Sequence, residues 1–167
     1  MNIRTERLTI TDLSLKMVED IQRNSLDEDN RRFVPDEVFE TVAQAEEVVK
    51  GLMASYKSPE GPFVYPVFTD KNENIGYVQA CAIDEGWEIG YHIAEKYTGK
   101  GYATEAVKAF LPVIMERLQI NKIYGVVLED NKSSHRVLEK CGFKLLYKGT
   151  GKYQGNQRQL RKYIREF

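Results

Sequence analysis

A glycine-rich loop that leads into a helix pattern constrains this chain more than any other segment. The loop reads Thr98-Gly99-Lys100-Gly101-Tyr102-Ala103, and it joins a strand pattern to a helix pattern. Two glycines one residue apart let the backbone turn tightly and approach a ligand closely. The helix that follows directs unpaired N–H groups and the positive end of its dipole at that ligand. Together these features predict an anion site, and a diphosphate fits it best.

The loop departs from the two common nucleotide-binding patterns. A Walker-type phosphate loop needs Gly-Lys followed by Ser or Thr, whereas this chain has Lys100-Gly101 in the reverse order. A dinucleotide fingerprint needs a third glycine within a parallel βαβ unit. The segment before the loop instead has the pattern of three antiparallel strands linked by turns. The loop is therefore expected to belong to a different class of phosphate-binding protein.

The patterns along the chain predict a single mixed α/β domain over residues 1–167. Asp12 and Thr41 stand where helix N-caps are expected, and Asp27–Pro35 has the composition of a polar loop. Periodicity 2 and periodicity 3.6 separate strands from helices. Strands are predicted over 4–10, 63–69, 75–83, 87–94, 120–128, 143–148 and 157–167, and helices over 12–24, 41–56, 101–118 and 131–141.

Charge and cysteine usage narrow the function classes. The chain has 24 basic and 25 acidic residues and a net charge of −1, so it lacks the basic excess of a nucleic-acid binder. No apolar stretch is long enough to span a bilayer, which predicts no membrane partner. Cys81 and Cys141 have no CxxC partner and indicate packed thiols in a cytoplasmic protein. Two distant histidines predict no metal site.

Two segments together resemble a known family. The stretch Trp87–Ala106 contains the glycine loop, and Asn131–Phe143 has the form Asn-x-x-Ser followed by a helix and Lys-x-Gly-Phe. In this order and spacing they resemble the GNAT acetyltransferases, specifically the branch that acetylates the N-termini of ribosomal proteins, RimJ/RimL-like. The opening segment Arg4–Leu8 is also similar to that branch. The resemblance implies the GNAT acyl-CoA N-acyltransferase fold, a central, mostly antiparallel sheet flanked by about four helices.

The resemblance also implies acetyl-CoA as co-substrate, with no metal. The strand that ends at Ile93 is expected to pair with the pantetheine arm as an added strand would. Asn131 matches an asparagine that hydrogen-bonds the cofactor arm in the family. Thr98 stands where the family usually has Arg or Gln, a departure that this branch often shows. The implied cofactor-binding residues are Ile93, Thr98, Gly99, Lys100, Gly101, Tyr102, Ala103, Thr104, Asn131 and Ser134.

The family transfers the acetyl group by direct attack of the amine in a ternary complex, so no enzyme nucleophile is implied. Glu88 is the candidate general base, because it lies on the strand beside the cofactor; a solvated strand carboxylate is the alternative. Leu138 occupies the position where many relatives have a tyrosine that protonates the thiolate. Ser134 is therefore the candidate hydrogen-bond donor on the thiol side. His135 is expected on the solvated surface.

The acceptor amine is less constrained than the acetyl donor. The branch implies the N-terminal amine of a protein, such as a ribosomal protein, with Arg32 and Phe33 as candidate substrate-binding residues. Acidic residues Asp27, Glu28 and Asp29 leave open a small amine such as a polyamine, an amino acid or an antibiotic. A non-catalytic CoA-sensing module is the alternative of another class. Either a monomer or a homodimer is compatible with the sequence.

Overall fold

Eight strands form one mixed sheet, and five α-helices flank it. The computed structural model describes all residues from Met1 to Phe167. The predicted fold class is confirmed, with one α-helix more than the patterns indicated. In chain order the elements are β1 (Asn2–Arg4), β2 (Leu8–Thr11), α1 (Val18–Ser25), α2 (Glu28–Phe33), α3 (Val42–Ser55), β3 (Phe63–Thr69), β4 (Asn74–Ile83), β5 (Gly86–Ile93), α4 (Tyr102–Leu118), β6 (Lys122–Leu128), α5 (Lys132–Lys140), β7 (Lys144–Tyr153) and β8 (Asn156–Glu166).

The strand order is β1-β2-β3-β4-β5-β6-β8-β7, and only the β5–β6 pair is parallel. β4 and β5 pair along their whole length, starting with Gly76 opposite Ile93. β5 and β6, by contrast, share a single ladder position, Glu88 opposite Tyr124. The sheet is therefore continuous, but its two halves are joined over a very short distance.

The two faces of β4 and β5 differ in character. Val78, Ala80 and Ile89 are buried on one face and belong to the main apolar core. Because directly opposed residues of an antiparallel pair share a face, the other face can be read from the register. That face carries three cross-strand pairs, which are Tyr77 with His92, Gln79 with Gly90, and Cys81 with Glu88. Glu88 thus points away from the core.

Helix α4 covers the core face of the sheet. The α4 side chains of Val107, Phe110, Leu111 and Ile114 are buried. Burying an apolar side chain of this size contributes roughly 1.5–3 kcal/mol. Pro112 lies on the exposed side of the helix and does not end it. No helix in the chain is both long enough and apolar enough to cross a bilayer.

The predicted strand over 4–10 was wrong, because the chain turns back within it. β1 and β2 pair as an antiparallel hairpin, and the Thr5 N–H donates to the Leu8 carbonyl at 2.9 Å across the turn. Asp12 is not a helix cap, since its carboxylate accepts from the Met1 amino group at 2.6 Å. Helical structure starts later, with a 3₁₀ turn over Leu15–Met17 that leads into α1.

The segment predicted as a polar loop contains helix α2. Asp27 is its N-cap and accepts from the Asn30 N–H at 2.7 Å. Acidic residues fill the first turn and arginines the last, which suits the helix dipole. The charge density that suggested a loop is thus the charge pattern of a short capped helix. The Thr41 cap of α3 is confirmed, and Gln44 completes a capping box.

The last two strands are longer than predicted and form a hairpin. β7 and β8 pair from Lys144 opposite Ile164 to Tyr153 opposite Asn156, around a turn at Gln154 and Gly155. The tip of this hairpin reaches α2, where the Tyr153 hydroxyl donates to the Phe33 carbonyl at 2.9 Å. The hairpin and α2 therefore meet on the face of the sheet opposite α4.

We expect Gly76→Ala to destabilise the fold by about 2 kcal/mol or more. Gly76 has a φ of 149°, and a Cβ there would overlap the carbonyl oxygen of His92 on β5. Gly51→Ala is the matched control, because a Cβ at this exposed helical position meets nothing within 4 Å. It should stabilise the protein by about 0.5–1 kcal/mol. Urea unfolding measures both, and an unchanged midpoint for Gly76→Ala would contradict the close approach.

Candidate active site

The backbone of the glycine loop has the geometry of an anion site. Gly99 and Gly101 have φ of 76° and 79°, in the left-handed region that favours glycine. Gly101 is the N-cap of α4 and offers no side chain to the helix. The N–H groups of Tyr102, Ala103 and Thr104 consequently donate to no acceptor within the protein. Three donors and a helix dipole converge on the start of α4, where they can bind a diphosphate.

The N-terminal hairpin holds this loop in place. The Arg7 guanidinium donates to the Glu105 carboxylate at 2.7 Å and to the Lys100 carbonyl at 2.9 Å. Thr5 donates its hydroxyl to Glu105 at 2.6 Å, and the guanidinium lies 4.5 Å from the Tyr102 ring centre. Partial burial acts against it, but the hydrogen bonds from Thr5 and Arg7 lower the pKa of Glu105. The carboxylate one turn from the anion site is therefore ionised, and the Arg7 guanidinium balances its charge.

A cavity of about 1240 Å³ opens where β5 and β6 separate. Ile89–Ile93 of β5 form one wall, and Gly125–Val127 of β6 form the other. The glycine loop closes one end of the cavity, and α2 with the β7–β8 turn lines the other end. Strand edges that face a gap can pair with an extended ligand in the manner of an added strand. The cavity thus connects the anion site to the middle of the sheet.

Most of the predicted site residues lie together around this cavity. Two of them do not line it. The Arg32 guanidinium pairs with Asp130 at 3.0 Å, and Lys100 contributes only its carbonyl, which accepts from Arg7. The predicted residues that line the cavity are Phe33, Glu88, Ile93, Thr98, Gly99, Gly101, Tyr102, Ala103, Thr104, Asn131 and Ser134.

The start of α5 forms part of the β6 side of the cavity. Asn131 is the N-cap, and its side-chain oxygen accepts from the Ser134 N–H at 3.4 Å. Tyr91 reaches across from β5 and donates its hydroxyl to the Ser134 carbonyl at 3.0 Å. A Cβ on Gly125 of β6 would lie 3.0 Å from Leu138, so the helix packs close to the strand. These contacts fix the first turn of α5 beside the gap.

The prediction that His135 lies on the solvated surface was wrong. The ring is only 5% exposed. Its Nδ1 lies 3.0 Å from the Tyr163 hydroxyl and its Nε2 lies 3.1 Å from the Glu129 carbonyl oxygen. The ring therefore links α5 to β8 and to the end of β6, which is a structural role.

Glu88 occupies the point where β5 and β6 part. Burial raises the pKa of its carboxyl to about 7, although a hydrogen bond from the Val126 N–H and the charge of Lys162 act in the opposite direction. A carboxyl with a pKa near 7 can hold or release a proton at physiological pH, which is what a general base requires. Its place in the cavity and its proton affinity are thus both suited to that role.

Two carboxyl groups near the site have contacts that the sequence did not indicate. Asp27 accepts from the Glu95 N–H at 2.9 Å, and its other partner, His92, lies 3.2 Å away on β5. The pKa of Asp27 is lowered, because hydrogen bonds from His92 and the backbone outweigh the effect of burial. Glu37, from the turn after α2, also lines the cavity. Neither residue carries a motif, and only the packing of α2 on β4 and β5 brings them here.

Known proteins were compared with this fold and site. Residues 7–144 match the family model described as Acetyltransferase (GNAT) domain. A Bacillus subtilis protein named uncharacterized N-acetyltransferase YnaD is 25% identical over 146 residues, which cover 86% of this chain and 83% of that protein. A GNAT-family acetyltransferase structure from Bacillus anthracis is 25% identical with a TM-score of 0.85, covering 99% of this chain and 98% of that one. RimL, a ribosomal L7/L12 alpha-N-protein acetyltransferase in complex with coenzyme A, is 19% identical with a TM-score of 0.86, covering 99% and 98%.

An anion site at the start of a helix opens into a gap between two parallel strands that separate. This arrangement suits a protein that binds an acyl-CoA. The family match covers most of the chain, and this chain belongs to the GNAT acetyltransferases. It is an N-acetyltransferase that takes the acetyl group from acetyl-CoA. The relatives are themselves named N-acetyltransferases, which favours catalysis over the alternative of a non-catalytic sensor.

We expect Gly101→Val to weaken acetyl-CoA binding at least tenfold. A β-branched residue strongly disfavours a φ of 79°, and its side chain would occupy the space in front of the α4 N–H groups. Gly86→Val is the control, because Gly86 also has a positive φ, 138°, and a Cβ there meets nothing within 4 Å. Calorimetry with acetyl-CoA should show normal affinity for Gly86→Val. Equal affinities of wild type and Gly101→Val would refute the loop as the diphosphate site.

Proposed function

We propose that this enzyme acetylates the N-terminal amine of a protein. The full-length structural similarity to RimL, named as an alpha-N-protein acetyltransferase, carries the proposal. The shape of the cavity supports it, since beyond Glu88 the cavity continues toward α2, the β4–β5 turn and the β7–β8 turn. An extended chain end can enter from that side while the cofactor enters from the glycine loop.

The residues fit acetyl-CoA, which supplies the acetyl group as a thioester. The N–H groups of Tyr102, Ala103 and Thr104 would hold its diphosphate, since they have no acceptor within the protein. Ile93 and its strand neighbours would pair with the pantetheine arm. The Arg7–Glu105 ion pair holds the loop, and the arginine charge balances the negative charge of Glu105 beside the anion site.

Glu88 is the proposed general base of the reaction. It takes the proton from the acceptor amine, directly or through water, and the freed nitrogen lone pair bonds to the acetyl carbon. The carbon–sulfur bond breaks, and the sulfur keeps the electron pair and takes the second proton, which the acetylated nitrogen loses, so that the products are the amide and the CoA thiol. The Ser134 hydroxyl donates a hydrogen bond to that sulfur, and Tyr91 and Asn131 fix the helical turn that carries it.

A small amine is the second candidate acceptor. Of the acidic residues that suggested it, Asp27 is engaged as the α2 cap and with His92. Asp29 does line the cavity, together with Asp84 and Glu85 of the β4–β5 turn. This acidic entrance favours a cationic acceptor of either kind.

We further propose that the enzyme works in the cytoplasm. Cys81 and Cys141 are both free thiols. Free thiols persist in a reducing compartment.

Turnover of an acceptor panel tests the proposed acceptor. The panel contains Ser-Ala-Ala-Ala amide, spermidine, free serine and n-butylamine, and release of the CoA thiol reports turnover. We expect the peptide to have a kcat/KM at least tenfold above the small amines, with the acetyl group on its N-terminus by mass spectrometry. Acetylation of a small amine without acetylation of the peptide would exclude the N-terminal proposal.

We expect Glu88→Gln to lower kcat about 100-fold, a loss typical of general-base removal, with acetyl-CoA affinity unchanged. In the wild type, kcat/KM should rise with pH around a midpoint near 7, and the variant should lack that midpoint. The pKa of Glu88 is raised from 4.5 to about 7 in the fold, so stability falls as pH rises from about 4.5 to about 7. Glu88→Gln should therefore raise Tm relative to the wild type at pH 8 and leave it nearly unchanged at pH 4. A pH–rate profile that matches the wild type would show that Glu88 is not the base.

A further inference from the structure

Glu37 is a second carboxyl group in the cavity, and the general-base assignment does not use it. It ends the 3₁₀ turn Pro35–Glu37 that follows α2, and it lines the same cavity as Glu88. Burial raises the pKa of its carboxyl. Neither Glu37 nor Glu88 forms an ion pair with a lysine or arginine of the protein. Two half-buried carboxyls that form no ion pair lose part of their hydration, which a bound cation offsets.

The position of Glu37 is built by β4 and β5. The Gln79 side chain on β4 lies next to the Glu37 carboxyl and opposes the rise in its pKa that burial causes. Its cross-strand partner on β5 is Gly90, where a Cβ would lie 2.6 Å from the Gln79 amide nitrogen. Gly90 thus lets the Gln79 side chain lie flat across β5. The sequence provides both the Gln79 side chain beside Glu37 and the space that this side chain needs.

Glu37 and Glu88 act on the same stretch of the cavity wall. Gln79, which lies next to Glu37, and Cys81, which pairs with Glu88, are alternate residues on one face of β4. Burial raises the pKa of Cys81 to about 12, with smaller contributions from the charges of both Glu88 and Glu37. The pKa of Tyr153 on the β7–β8 hairpin is raised by burial and, to a smaller extent, by the charges of the same two carboxylates. Three elements therefore surround the space that these two groups share.

A third acceptor group lines the cavity, and this one has no donor. Gln154 follows Tyr153 at the hairpin turn and lines the cavity, and its side-chain oxygen is buried with no hydrogen-bond partner. An unsatisfied buried acceptor costs about 1–3 kcal/mol, which a bound donor relieves. Glu37, Glu88 and Gln154 together offer only acceptors, and an ammonium group offers three donors and a positive charge. No three His, Cys, Asp or Glu side chains converge as a metal ion would require.

We propose that Glu37 and Glu88 bind the ammonium group of the acceptor, with the Gln154 side-chain oxygen as the third hydrogen-bond acceptor. The inference rests on the proposed function for the acceptor's class and holds for a peptide or a small primary amine alike. Glu37 stays ionised and fixes the nitrogen. Glu88 removes one proton from it, and the remaining N–H bonds to Glu37 and Gln154 orient the lone pair toward the acetyl carbon.

Glu37→Gln tests the binding role, and Asp36→Asn, which removes the same charge from the exposed neighbouring residue, is the matched control. Loss of a charge-assisted hydrogen bond predicts that KM for Ser-Ala-Ala-Ala amide and n-butylamine rises about tenfold or more. We expect kcat to change less than threefold and acetyl-CoA affinity to stay the same. Asp36→Asn should leave all three unchanged. A KM for Glu37→Gln equal to that of the wild type overturns the proposal.

Gln154→Met separates binding from folding. Removal of an unsatisfied buried oxygen should leave the unfolding free energy unchanged or higher, whereas the acceptor KM should rise. A stability gain with an unchanged KM excludes Gln154 from the subsite. Gly90→Ala gives an independent check on Glu37, because it displaces Gln79 and should raise KM in the same direction.

A binding measurement distinguishes this inference from the identity of the acceptor. n-Butylammonium chloride or 1-butanol is titrated into the CoA complex of protein labelled with ¹³C at the glutamate δ carbons. The Glu37 signal, assigned from its absence in Glu37→Gln, should shift with the ammonium and not with the alcohol. A Glu37 signal that ignores the ammonium overturns the inference. Peptides that are not acetylated, with a Glu37 response intact, would contradict only the proposed N-terminal acceptor.

Discussion

The single ladder position between β5 and β6 is the constraint on which the rest of the structure depends. Parallel strands that pair at Glu88 and Tyr124 and then separate leave two strand edges facing a gap within one continuous sheet. A sheet that closed fully would have no cavity, and one that separated fully would lose half its core. α4 and α5 cover the gap from the core side, and α2 with the β7–β8 hairpin frames the opposite side. The chemistry is thus placed where the sheet is least complete.

Alternation along β4 and β5 gives each strand two functions. Residues such as Val78 and Ile89 hold the core against α4, and their neighbours Gln79 and Glu88 line the cavity. Glu88 therefore lies on a double strand whose opposite side contributes Val78, Ala80 and Ile89 to the core. The N-terminal hairpin completes the frame, because Arg7 holds the glycine loop through Glu105 and Lys100.

Local signals in the sequence were sufficient for most of the fold. Helix α4, the three antiparallel strands before the glycine loop and the Thr41 cap depend on neighbours in the chain, and those predictions are confirmed. The hairpin within residues 2–11 was missed because its turn is stabilised by Glu105, about a hundred residues away. α2 was missed because its charges mimic a loop. Glu37 was missed because its place in the cavity depends on how the segment after α2 packs beside Gln79 of β4, which no periodicity encodes. The site residues predicted from resemblance remain predictions, although eleven of them line one cavity.

The environment of Cys81 has a consequence for the fidelity of the reaction. A thiol inside the cavity could intercept the acetyl group by exchange with the thioester, and the enzyme would then acylate itself. Burial and two neighbouring carboxylates raise the pKa of Cys81 to about 12. Only about one molecule in 10⁵ then carries the thiolate at pH 7, and the thiolate is the nucleophile. The acidic wall that attracts an amine thus also suppresses the competing sulfur, and chemoselectivity is built into the same few side chains.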